Sequence, residues 1–162
     1  MMSVIDVSPA GCDAAADCPV ADACMPGTRM PCVDVARVHA AKLRLCDELE
    51  RIADDLPSAD RLVCLRVANE LVPLVRQSHL YEEELVFPAF IRAGGDDGAN
   101  AASVRRLRAE HVEDECAAQD LTELLLVIGH GGQVRNPEAV GFMLRAFFAA
   151  VRRHVAFERE HV

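Results

Sequence analysis

The sequence has no long apolar run, no strand-like alternation and a deficit of basic charge. No stretch approaches the roughly 20 apolar residues of a membrane span, and the longest candidate, residues 140–151, is broken by Arg145. Lys and Arg number 17 against 26 Asp and Glu, for a net charge of −9. That balance argues against a nucleic-acid backbone or an anionic membrane surface as partner. The N-terminus has no early Lys or Arg and no apolar core of a secretory signal, so a cytoplasmic location is expected. No repeat of solenoid type is present.

What is present suits one folded domain. Of 162 residues, 51% are apolar and 27% charged, enough for a sizeable core. The seven cysteines are an odd number and cannot all pair within one chain. Cys12, Cys18, Cys24 and Cys32 fall early, with no CxxC among them. They read as free thiols on an arm. Residues 1–33 form that arm, irregular because Pro9, Gly11, Pro19, Pro26, Gly27 and Pro31 punctuate it.

Residues 34–162 read as four amphipathic helices. The first spans about 34–56, capped by Asp34 and followed by Pro57; the second spans about 59–93, with a kink or two helices in line expected at Pro73. The third spans about 102–128, and the fourth starts at Pro137. Short loops between long helices predict an all-α, up-down four-helix bundle.

The apolar stripes contain polar residues. His39 follows Val35 by four, His79 follows Val75 by four, His111 follows Leu107 by four and His154 follows Val151 by three. Three of these histidines have a glutamate four residues on: Glu83, Glu115 and Glu158. Such a pair on a helix surface is an ordinary salt bridge worth a few tenths of a kcal/mol. Within a buried seam, unpaired carboxylates cost several kcal/mol, and a cation accepting both imidazole nitrogen and carboxylate oxygen offsets that cost. Four His and two or three Glu exceed the needs of one ion and suggest two. Ferritin-type di-iron bundles place Glu before His at i, i+3; the order here is reversed and the spacing is four.

These residues resemble the hemerythrin-like, or HHE cation-binding, family over about 33–162. The features that carry the resemblance are His39, the run His79-Leu-Tyr-Glu-Glu83-Glu-Leu-Val-Phe-Pro88, His111 and His154-Val-Ala-Phe-Glu158. The resemblance implies two iron ions with an oxo or hydroxo bridge. Glu83 and Glu158 would bridge them, and His39, His79, His111 and His154 would be terminal ligands. Oxygen-carrying members have a fifth histidine where this chain has Glu115. That difference counts against simple reversible oxygen carriage and leaves Glu115 either a ligand or a carboxylate orienting His111. The implied partners are dioxygen or another small diatomic or peroxide ligand, with a protein partner conceivable through the arm. Three functions follow: oxygen or iron binding, sensing or storage; a di-iron oxidoreductase acting on peroxide, nitric oxide or dioxygen; or an iron or redox sensor using the arm cysteines. Relatives often continue the last helix past Val162. His161 is expected to fray, His130 to lie in an exposed loop, Cys46 to fill core space and Tyr81 to face away from the His79–Glu83 side.

Overall fold

The computed structural model describes residues 31–94 and 98–162, with side chains from residue 35 onward. The cysteines of the expected arm lie outside the residues whose side chains are described. Helix α1 (Pro31–Asp55) already starts at Pro31, so Asp34 lies inside it rather than capping it. Proline is well suited to a helix start because its missing N–H has no intrahelical partner there. Helix α2 (Arg61–Tyr81) is capped by Asp60, whose carboxylate accepts from Leu62 N at 2.8 Å and Val63 N at 3.1 Å.

Helix α2 runs through Pro73 to Tyr81 without a break, so the chain does not divide into two helices there. The irregularity comes nine residues later as a π-helical turn, Glu82–Val86, where Phe87 N–H bonds the carbonyl of Glu82. Helix α3 (Phe87–Ala93) continues directly from it. Helix α4 (Ala99–Gly129) starts earlier than expected, and α5 (Pro137–His161) begins at the proline that the sequence indicated. Asn136 caps α5 by accepting from Ala139 N at 3.0 Å.

With α2, the π turn and α3 read as one rod, the architecture is the expected four-helix bundle. α2 packs most extensively on α4 and α1 on α5, while α1–α2 and α4–α5 contacts close the ring. Gly129 ends α4 against α2, where an added Cβ would meet Leu65 Cγ at 2.5 Å. Gly131 then turns the chain with φ +84°.

The core falls into two apolar clusters. The larger includes Leu49, Cys64, Leu71, Leu121, Leu125 and Leu144; the smaller is Val86, Phe87, Val104 and Leu107. The polar residues of the seams lie between them along the helices, as a layer across the bundle. No helix among the described residues is long and apolar enough to cross a membrane.

Leu71 is fully buried in the larger cluster. Leu71→Ala should cost about 2–5 kcal/mol, measured as a lower urea midpoint with an unchanged slope.

Candidate metal centre

The four histidines named from sequence converge. His39 on α1, His79 on α2, His111 on α4 and His154 on α5 are all buried. His79 and His111 stack with centroids 3.8 Å apart and planes within 5°, and Phe87 covers His111 at 5.4 Å. Glu158 joins them: its Oε2 accepts from His39 Nε2 at 2.9 Å, and its Oε1 lies 3.5 Å from His154 Nε2.

The carboxylate contributed by the second rod is Glu82, not Glu83. Glu82 is 1% exposed, whereas the Glu83 side chain is 37% exposed. Glu82 Oε2 lies 3.1 Å from His111 Nε2 and 3.9 Å from His154 Nε2. The physical reason is the π turn. It holds one more residue than an α-turn, so counting a heptad back from Phe90 reaches Glu83, one residue past the position that faces inward. The seam instead runs Leu71, Val75, Ser78–His79, Glu82, Val86. A count of seven from Val75 would have found Glu82.

Glu115 is also outside the inner layer. Its side chain is 35% exposed, and its Oε1 accepts from His79 Nδ1 at 3.3 Å rather than touching His111. Glu83 Oε1 accepts from His111 Nδ1 at 2.8 Å, and Glu110 Oε2 accepts from His154 Nδ1 at 3.0 Å. Each of these outer carboxylates also pairs with an arginine: Glu115 with Arg76, Glu83 with Arg108 and Glu110 with Arg106. Three imidazoles are thereby held in one tautomer, with the Nε2 lone pair turned inward. This is the arrangement in which carboxylates orient metal-binding histidines.

Two further residues escaped the sequence reading. Lys42 Nζ donates to Glu82 Oε1 at 2.6 Å, with both side chains almost fully buried. Asp114 is buried on α4. Lys42 lies three residues after His39, Asp114 three after His111 and Glu82 three after His79. The missed signal was i, i+3 spacing, which shares a helix face as i, i+4 does.

Five buried side-chain atoms among the described residues have no hydrogen-bond partner. One is Thr122 Oγ1; the other four are Glu82 Oε2, His111 Nε2, His154 Nε2 and Glu158 Oε1. These four face one another. A carboxylate oxygen 3.1 Å from an imidazole lone pair is repelled unless a cation or a proton stands between them, and buried polar atoms are otherwise almost always paired. Two donor sets emerge, His79–Glu82–His111 and His39–Glu82–Glu158, each with its donor atoms within 4.8 Å of one another and with Glu82 common to both. Imidazole nitrogen with carboxylate oxygen suits iron and similar transition ions, so the residues fit a metal centre.

The sequence profile of the hemerythrin HHE cation-binding domain matches residues 33–162. The chain belongs to the hemerythrin HHE family. No curated protein and no solved structure matches it. The family is one of cation-binding helical proteins, and the buried His and Glu layer of this member is where a cation would be held.

The other histidines stay outside: His130 is exposed after α4, and His161 is exposed with its ring 4.6 Å from Phe157. Cys46 is buried as a core filler, and burial pushes its thiol up to about 12. Tyr81 is half-buried against the smaller apolar cluster.

Titration of the metal-free centre has a definite sign. Burial, with His111 and Lys42 adding to it, pushes His79 down to about 2 from an ordinary 6.5. Folded His79 therefore stays neutral where the unfolded chain takes a proton, and stability is lost as pH falls below about 6.5. Burial pushes Glu158 up, but His154, His39 and Lys42 outweigh it and hold the carboxyl well below its ordinary 4.5. Its contribution is lost as pH falls further. His154 acts oppositely: burial lowers it but Glu158 raises it more, so its contribution is complete below 6.5 and fades as pH rises. Asp114, whose carboxyl burial pushes up, opposes part of this on acidification, so the melting temperature of metal-free protein should peak near pH 6.5–7 and fall toward pH 4 through the larger shift of His79. Calorimetry across that range checks it; a rise on acidification would contradict these assignments.

Proposed function

We propose that this chain is a non-haem di-iron protein that binds dioxygen or a related small ligand, serving oxygen or iron binding, sensing or storage. The observation that carries this reading is the set of four buried, mutually facing atoms without partners, Glu82 Oε2, His111 Nε2, His154 Nε2 and Glu158 Oε1. His39, His79, His111 and His154 would hold iron through inward nitrogens, with Glu82 and Glu158 shared between two ions. Bound iron supplies the redox chemistry that the side chains lack.

The chain's own residues provide the rest. Glu83, Glu110 and Glu115 fix the imidazole tautomers from outside. A small cavity, with room for about one water, abuts His79 and His154 and is walled by Leu74, Val75, Phe147 and Val151. Its size suits a diatomic ligand and its apolar wall limits water. A second reading, an oxidoreductase acting on peroxide, nitric oxide or dioxygen, is favoured by Lys42 and Asp114, which line the same cavity and can donate hydrogen bonds or protons to a ligand. The free thiols of Cys46, Cys64 and Cys116 suit a reducing, cytoplasmic compartment. The net charge of −9 favours a small ligand over nucleic acid.

Metal analysis with optical spectra of anaerobic and air-exposed protein tests this reading. Two irons per chain with a spectrum that changes on exposure to air is the expected result; a stable protein that binds no iron would overturn it. Reversal of the change under vacuum favours binding, and sustained consumption of peroxide or nitric oxide favours the enzyme. Glu82→Gln should lower iron affinity by about a hundredfold or more. Glu83→Gln, which keeps an acceptor for His111 Nδ1, should lower it by only about tenfold. Equal effects would contradict the placement of these two glutamates.

A further inference from the structure

Among the described residues, Lys42 brings a fixed positive charge into the centre. Its ammonium donates to Glu82 Oε1 at 2.6 Å, and neither side chain reaches solvent appreciably. Glu82 is therefore divided: Oε1 faces Lys42 while Oε2 is without a partner. Glu158 is divided in the same way. Its Oε2 accepts from His39 Nε2 at 2.9 Å, and its Oε1 is without a partner.

The two donor sets are consequently unlike. In the set His79–Glu82–His111, Glu82 Oε2 and His111 Nε2 are uncommitted, as are the adjoining His154 Nε2 and Glu158 Oε1, and an ion entering there breaks no bond. The set His39–Glu82–Glu158 holds two existing links, Lys42 to Glu82 and His39 to Glu158. With Glu82 Oε2 taken by the first ion, a cation there must displace the ammonium from Oε1 and break the His39–Glu158 hydrogen bond. It must also enter a buried layer that carries the positive charge of Lys42 as well as that of the first ion, where like charges repel much more strongly than in water.

We propose that the two metal positions load in order and that Lys42 sets the gap between them: the first ion takes the uncommitted atoms, and the second binds only as Lys42 leaves Glu82. This rests on the di-iron reading above. The ammonium has a second place to go. Asp114 lines the same cavity as Lys42, whose remaining walls come from α2 and α5. Asp114 thus acts as a positioning residue that receives Lys42 when the second ion arrives.

The test is an anaerobic titration of metal-stripped protein with Co(II), followed by visible absorbance and calorimetry. Wild-type protein should show one tight equivalent and a second at least about tenfold weaker. Lys42→Met and Lys42→Gln should each tighten the second equivalent by about tenfold or more and leave the first within about threefold. Lys42→Gln keeps a hydrogen-bond donor for Glu82, so it decides the matter if Lys42→Met fails to fold. Asp114→Asn should weaken the second equivalent further and spare the first. Two indistinguishable equivalents in wild-type protein, or an unchanged gap in the Lys42 variant that folds, would overturn the role of Lys42 while leaving the metal centre standing. Wild-type protein that binds no Co(II) would overturn the di-iron reading itself.

Discussion

Inside the bundle, two carboxylates face imidazole nitrogens whose protons point the other way. Glu82 and Glu158 present oxygens to His111 and His154, while those rings donate outward to Glu83 and Glu110. Such a layer is under electrostatic tension unless positive charge lies within it. Lys42 supplies one such charge and leaves four atoms without partners. The rest of the fold accommodates this layer. An apolar cluster flanks it on each side, which limits the water that can reach the unpartnered atoms. Removing either partner of a buried ion pair such as Lys42–Glu82 strands the other and typically costs about 3–5 kcal/mol. A cation bound in this layer would therefore add directly to the stability of the fold.

The bundle was legible in the sequence because its signals are repetitive. Stripes at three and four, Pro137 at a helix start and the glycines after Ile128 each act locally, and many agree. The four histidines were legible for the same reason, since each interrupts a stripe of otherwise apolar residues. Glu158 followed because α5 is regular from His154 onward. Glu82 was not found, because a π turn leaves no mark in composition: Glu82, Glu83 and Glu84 are chemically identical, and only the backbone decides which one is buried. Glu115, expected either as a ligand or as a carboxylate orienting His111, meets His79 on the neighbouring helix instead. Pairings across helices depend on rotation of one rod against another, which periodicity along a single helix does not encode. Lys42 and Asp114 were passed over because charged residues normally belong to the solvated face.

The division between the two glutamates also shows how the centre uses similar side chains for different work. Glu82 is buried and faces Lys42 and the inner nitrogens; Glu83, its neighbour, reaches round to the outer nitrogen of His111 and to Arg108. Consecutive residues thus face the same imidazole ring from opposite edges, Glu83 bonding its outer nitrogen and Glu82 standing unbonded at its inner one. Rotation of that ring is blocked, and its stacking on His79 carries the constraint to a second helix.

The three outer chains, His79–Glu115–Arg76, His111–Glu83–Arg108 and His154–Glu110–Arg106, each run from the interior to a half-exposed arginine. Their inner links are shielded by protein, but their outermost links stand in solvent, where dissolved salt screens charges within about 8–10 Å. Ionic strength therefore reaches the centre without anything entering it. As salt loosens arginine from glutamate, the carboxylate is freed to lean more fully on its imidazole, which makes the inward nitrogen a stronger electron donor. The bundle surface is in this sense an adjustable boundary for the electronic character of its interior.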